Sequence, residues 1–342
     1  MAAQTAMFNK SETITEAAFS YERLEKLLQQ SLETTATIED ASSRRIGQMQ
    51  GFMSRIVQVR MEWSENESCR LPNSVVLKIP SLKNWDELGQ VVEEIKEMMD
   101  SCTSMDKTVT TPHNNECAFY RFARGNEKAL KVPKCYFVEE IDVEKKQTGL
   151  LILEDLSEIG GYVVPIHEKA RLPLLKEVVV ALAACHAFSL LNDDWRGGRV
   201  GASVVDIIGE NKASMEASFA RTSEALADKF PNYFTKALAG RMKEFADMET
   251  HMFYSLQEHE RMGVPAVLVQ GDCHLNNIVV RKDEETGEER LLAIIDWQIC
   301  HPGSTGEDMA LDPEAARHEM LDRAKRLLED LYASEDGHPL PW

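Results

Sequence analysis

Asp272 and Asn277 lie on one short run, Gln270-Gly271-Asp272-Cys273-His274-Leu275-Asn276-Asn277, and Asp296 closes a second, Ile294-Ile295-Asp296-Trp297-Gln298. A loop carboxylate can orient an attacking hydroxyl and take its proton. A second carboxylate and an amide oxygen can hold a hard cation against phosphate oxygens. Phosphoryl transfer asks a protein for these parts and little else, because positioning and electrostatics carry the reaction. Asp272 is therefore the candidate catalytic residue, and Asn277 and Asp296 are the candidate metal ligands. Either aspartate alone would be ordinary turn chemistry. The pattern is specific only as a set.

The elements that must position this set are legible as alternating runs. Ile278 to Arg281 and Leu291 to Ile295 are short aliphatic strands joined by a polar turn containing Gly287. An antiparallel hairpin brings the residue before its first strand beside the residue after its second, here Asn277 and Asp296. Upstream, Phe19 to Leu32 has apolar residues at helical spacing, Ile56 to Val59 and Val75 to Ile79 read as strands, and Leu88 to Met99 as a helical patch. Asn115 to Phe122 reads as helix, Lys134 to Val138 as extended chain, and Gly149 to Leu153 as a strand running into Glu154-Asp155-Leu156. Arg171 to Leu191 and Ala213 to Met262 then read as helical, with Pro231 dividing the second. Strands followed by helices predict an α+β fold in two lobes, residues 1–156 and 157–342, meeting near Gly160-Gly161.

Composition bounds the partners. A formal net charge of −19 over 342 residues argues against nucleic acid, which needs a basic footprint, but not against a triphosphate neutralised locally by Mg²⁺ and lysine. Seven scattered cysteines without a C-x-x-C read as reduced thiols, and Met1 to Lys10 has no apolar leader, so a cytoplasmic protein is expected. The longest apolar stretch, Val178 to Leu191, is too short for a membrane span. Cys273-His274 and Cys300-His301 lack the spacing of a zinc site, and Cys185-His186 reads as core packing. Oligomeric state is not encoded in any of these features.

With these residues in hand, the sequence resembles the phosphotransferase superfamily that includes aminoglycoside phosphotransferases and choline kinases. Within it the chain is most similar to the CHK kinase-like (ecdysteroid kinase-like) family, in the branch abundant in nematodes. The resemblance runs from about Thr34 to Asp308 and rests on Gln50-Gly51-Phe52-Met53-Ser54-Arg55, Leu77-Lys78-Ile79, His113-Asn114-Asn115-Glu116, Leu153-Glu154-Asp155-Leu156, the Asp272 loop, and Asp296-Trp297-Gln298 with His301-Pro302-Gly303-Ser304 and Glu307-Asp308. It implies a protein-kinase-like bilobal fold and transfer of the γ-phosphoryl group of ATP, with Mg²⁺, to the hydroxyl of a small molecule: a sterol-like, choline-like or other alcohol. It further implies that Lys78 holds the α- and β-phosphates and that Glu116 orients it. Backbone amides from Gly51 to Ser54 would cover the phosphates, main-chain groups from Glu154 to Leu156 would meet the adenine, and Asp308 would brace the catalytic loop. The family usually carries histidine at position 270, and glutamine there can also donate and accept hydrogen bonds. Past Asp308 the resemblance implies several helices, whereas one amphipathic run remains, Asp312 to Leu331, so this region reads as shortened. The alternative reading is a kinase-like binding or regulatory protein that has lost transfer. A protein kinase is disfavoured, because Trp297-Gln298 replaces the D-F-G landmark and no A-P-E segment follows.

Overall fold

The computed structural model describes residues 8–15, 17, 19–47, 53–64, 71–81, 105–164, 170–197, 200–244, 261 and 263–304. Gly51, the patch Leu88 to Met99, Asp308 and the run Asp312 to Leu331 lie outside these residues.

The first half is one antiparallel sheet. Strands β1 (Ile38–Ile46), β2 (Ser54–Trp63), β3 (Ser74–Pro80), β4 (Cys135–Asp142) and β5 (Gln147–Glu154) are ordered β1-β2-β3-β5-β4. One face buries Val57, Val59, Met61, Val75, Leu77, Leu150 and Ile152 against helix α1 (Tyr21–Leu32), whose Leu24 and Leu28 are fully buried. The i, i+4 spacing of those leucines makes the helix amphipathic. The opposite face carries Ile56 opposite Lys78 and Gln58 opposite Val76, and cross-strand partners share a face. Here the sheet meets a second core built with helix α2 (Met105–Ala123), through Leu151, Leu153, Phe119 and Tyr120.

Helix α2 begins ten residues before the stretch that the sequence suggests, passing through Pro112. Proline removes one intrahelical bond and usually marks a break, and that is why the earlier part did not read as helix. After the short helix α3 (Glu127–Leu130) and the β4-β5 hairpin, the chain enters a helical half. This comprises α4 (Leu172–Leu191), α5 (Ala202–Lys229) and α6 (Lys236–Glu244), with Pro231 in the turn between the last two. Helix α4 has 20 residues and by length and composition alone could cross a membrane; it extends the apolar stretch read from Val178 by six residues, Lys176 and Glu177 among them. One face of it, with Leu174, Val178, Leu182, Cys185, His186 and Ser189, is buried in the protein's own core, and Ser189 Oγ accepts from Leu268 N at 3.0 Å.

Small sheets interrupt the helices. Strand β6 (Tyr162–Val163) pairs with β8 (Ile278–Lys282), which pairs with β9 (Glu289–Ile294), while β7 (Val267–Val269) pairs with β10 (His301–Gly303). The β8-β9 hairpin is the one expected from the sequence. Its register puts Ile278 opposite Ile294, and Ile295 N donates to Asn277 O at 2.9 Å. The overall arrangement is α+β and protein-kinase-like: an antiparallel sheet with α1 on one face and α2 on the other, and a helical half carrying a loop and hairpin.

Candidate functional site

Lys78 is the hub. It sits on β3, 7% exposed, among apolar neighbours, and a lysine is buried only with partners. Its Nζ lies 2.6 Å from Glu116 Oε2 on α2 and 2.6 Å from Asp296 Oδ1 beyond β9. Both contacts are largely buried ion pairs at hydrogen-bond distance. Burial opposes the Lys78 charge, but Asp296 and Glu116 together more than offset it and raise its pKa. Burial also raises the Glu116 pKa, with Lys78 pulling the other way. The trio holds one positive and two negative groups, so it has capacity for a further cation.

Helix α2 does more than supply Glu116. Asn115 Nδ2 donates to Gln298 O at 3.1 Å and Cys300 O at 2.7 Å, while its Oδ1 accepts from Gly201 N at 2.6 Å. One turn on, Phe119 stacks on Trp297 with ring centres 3.9 Å apart and planes 5° from parallel. Two α2 side chains, Asn115 and Phe119, thus clamp the segment that begins at Asp296. Asp296 itself has φ 62, a left-handed conformation that non-glycine residues adopt at a cost and that clusters at functional sites. The clamp is what holds it there.

The Asp272 loop is tied to the same segment by Gln270. This side chain is fully buried; its Nε2 donates to Asp296 O at 2.8 Å and Ile295 O at 3.2 Å, and its Oε1 accepts from Asp272 N at 2.7 Å. Glutamine therefore serves as loop scaffold by donating and accepting at once. Asn277 completes the tie. Its Nδ2 donates to Asp272 O at 2.9 Å and reaches Asp272 Oδ2 at 3.3 Å, leaving the amide oxygen on the other side of the group. Gly271 adopts φ +81, and a Cβ there would come within 2.7 Å of Ile299 O, so the approach of the loop to the 296–301 segment requires glycine. His274 Nε2 lies 3.5 Å from Asp272 Oδ2, and that carboxylate raises the imidazole pKa against the effect of burial. Gln270→Ala is expected to cost about 1–3 kcal/mol by leaving buried polar groups unpaired, read as a lowered denaturation midpoint, with Gln270→His recovering most of it.

The structure thus brings Lys78, Glu116, Asp272, Asn277 and Asp296 into one connected network. Ser54, buried at the start of β2 opposite Pro80, flanks it. Glu154 turns its side chain away: Oε2 accepts from Lys134 N at 3.1 Å, and its own N–H donates to Lys134 O. Leu156 heads a 3-10 turn, Leu156–Ile159, where the first N–H has no intrahelical acceptor. For a cation, the donor set of one aspartate and one amide oxygen fits Mg²⁺, which takes one or two protein oxygens and completes its shell with phosphate and water. Among the described residues no cluster of three or more His, Cys, Asp or Glu forms an all-protein metal cage. Cys300 and His301 are engaged with the fold, the first near Asn115 Nδ2 at 3.5 Å and the second to Ile299 O at 2.8 Å. Sequence reasoning placed Asn115 and Trp297 in its motifs but gave them no role, because the contacts they make appear only when α2 faces the hairpin.

Fold and site together define a protein of kinase-like architecture with a buried lysine–carboxylate centre. The chain belongs to the family described as "Uncharacterized oxidoreductase dhs-27" (DUF1679), whose model matches residues 7–334. No curated protein matches. Among solved structures, a Plasmodium vivax ethanolamine kinase is similar at 11% identity and TM-score 0.42, covering 96% of this chain and 78% of that one. A ternary complex of an aminoglycoside phosphotransferase with ADP and hygromycin B is similar at 15% identity and TM-score 0.39, covering 91% and 90%. The GDP complex of an aminoglycoside 2′-phosphotransferase is similar at 14% identity and TM-score 0.38, covering 90% and 81%. The family's description names an oxidoreductase, yet every strand pairing among the described residues is antiparallel. The glycine-rich dinucleotide turn belongs to parallel βαβ units.

Proposed function

We propose that this chain transfers the γ-phosphoryl group of ATP to the hydroxyl of a small molecule. One observation carries the reading: Lys78 is held between Glu116 and Asp296 while Gln270 and Asn277 tie Asp272 to the same segment. On nucleotide binding, Lys78 takes the α- and β-phosphates and keeps Glu116 as its partner, releasing Asp296. Asp296 and the Asn277 amide oxygen would hold Mg²⁺, which would supply charge neutralisation at the phosphates. Asp272 accepts the hydrogen bond of the acceptor hydroxyl and takes its proton as the oxygen attacks the γ-phosphorus, the bond to the β,γ-bridging oxygen breaks and ADP leaves with that electron pair. Main-chain groups between Glu154 and Leu156 receive the adenine, and the amides from Gly51 to Ser54 cover the phosphates.

The division of labour follows a nucleotide lobe over 1–156 and a helical lobe over 157–342. The acceptor is an alcohol, sterol-like, choline-like or of another skeleton. The net charge of −19 supports a small-molecule acceptor over a polyanion. The alternative, a binding protein without transfer, drew part of its motivation from Gln270; the bonds that this residue makes support a competent loop.

The test is an ATP-consumption screen across hydroxylated metabolites with the full chain. The expected result is Mg²⁺-dependent ATP loss that follows one class of alcohol, with phosphorus found on that alcohol. Wild-type protein that binds MgATP but transfers to nothing in a broad panel would favour the binding-protein alternative.

A further inference from the structure

Asp155 has no part in the chemistry above, yet it is the most heavily bonded carboxylate near the site. It is 6% exposed and follows β5 directly. Its Oδ2 accepts from Ser74 Oγ on β3 at 2.5 Å and from Gln58 Nε2 on β2 at 2.6 Å, and its Oδ1 accepts from Ser157 N at 3.0 Å. Gln58 Nε2 also reaches Ser157 Oγ at 3.2 Å, and Gln58 Oε1 accepts from Arg44 Nε on β1 at 2.7 Å. Gln58 and Ser74 are 3% and 2% exposed. The network therefore joins three strands to the segment 155–157 in the interior, and its direct donors to the carboxylate are all neutral.

A buried carboxylate served only by neutral donors is a costly way to hold a turn, since an uncharged side chain avoids the desolvation. Its location supplies a reason. Gln58 faces Val76, one alternate position from the Ile56–Lys78 pair on the same face. The network begins where the phosphate lysine's surroundings end, and finishes on the backbone assigned to the base. Resting on the nucleotide-site reading, we propose that Asp155 is a positioning residue for the nucleobase. Its bonds to Ser74, Gln58 and Ser157 fix the orientation of the 155–156 peptide and so set the preference for adenine over guanine.

The chemistry of the two bases makes this readable. Along the edge that a backbone segment can meet, adenine offers an amino donor and a ring acceptor, whereas guanine offers a carbonyl acceptor and a ring N–H donor. A peptide held in one orientation suits one pattern and opposes the other. A peptide free to rotate loses the distinction. Asp155→Ala removes the acceptor shared by Gln58 Nε2, Ser74 Oγ and Ser157 N, and Ser74→Ala removes one of its three donors.

Calorimetric titration of ATP and GTP, each with Mg²⁺, into wild type and both variants tests the proposal without needing an acceptor. For Asp155→Ala the expected result is ATP affinity reduced by about tenfold, on the order of one hydrogen bond between the base and the backbone, with GTP affinity much less affected. The ATP:GTP ratio therefore falls. Ser74→Ala shifts the ratio in the same direction by less, and it keeps the test decisive if Asp155→Ala does not fold. Lower melting temperature with an unchanged ratio in the folded variants would overturn the proposal and leave a structural role. Wild type that binds neither nucleotide would overturn the nucleotide-site reading itself, and this inference with it.

Discussion

Asp272→Asn is expected to abolish measurable turnover while leaving MgATP affinity within about twofold of wild type. General-base catalysis typically contributes about 10²–10⁴-fold, so the rate loss should be at least that large. The asymmetry follows from where the residue acts. Asp272 is assigned to the acceptor hydroxyl, which it deprotonates in the transition state, and no contact joins its carboxylate to Lys78. Asparagine also preserves the geometry: Gln270 still meets the residue's backbone N–H, and Asn277 still meets its carbonyl. Rapid-mixing measurement of turnover beside a binding titration reads both effects. Equal losses in rate and affinity would place Asp272 in ground-state nucleotide binding and would remove its assignment as base.

Lys78→Ala is expected to lose nucleotide binding and to destabilise the fold, by about 3–5 kcal/mol, because it strands two carboxylates that share one buried cation. Glu116 is 1% exposed and the Asp296 side chain 21% exposed, so neither can be fully resolvated in place. The effect should depend on pH with a definite sign. In wild type the Lys78 pKa lies above its ordinary value, so its contribution is complete below the ordinary lysine pKa and is lost only as pH rises beyond it. Across about pH 5 to 8 the wild-type contribution is therefore flat. In the variant, Glu116, already raised by burial, loses the one neighbour that lowered it through charge. The folded variant then binds more protons than the unfolded chain, and its stability falls as pH rises. The stability gap to wild type should widen from about pH 5 to about pH 8 in thermal melts. A gap that stays constant over this range would mean that the lysine contributes packing and not charge pairing.

What could be read in the sequence was local. The β8-β9 hairpin announced itself because aliphatic runs flank a polar turn with Gly287, and it carried Asn277 and Asp296 to one end without any long-range information. Lys78 stood out because a charge on an apolar strand demands a partner. Glu116 could be matched to it only through the family resemblance, since 38 positions separate them and neither periodicity nor spacing pairs them. Strand β1 went unread because Glu39, Asp40, Arg44 and Arg45 break its apolar pattern, as suits a strand at the edge of the sheet among the described residues. Strands β7 and β10 span three residues each, below the length at which alternation means anything. The Asp155 network shows the limit most plainly. Its donors at Gln58 and Ser74 are ordinary polar residues until the sheet order brings β2 and β3 against the end of β5.

The measurement that bears most directly on the site is a calorimetric titration of the full chain with ATP, with and without Mg²⁺, alongside NADPH and the Asp296→Asn variant. The lysine–carboxylate centre predicts that wild type binds ATP more tightly with Mg²⁺ than without. Asp296→Asn should bind ATP with little response to the metal, and NADPH should give no saturable heat. Saturable NADPH binding with no heat from MgATP would contradict the account and would stand with the oxidoreductase of the family's description.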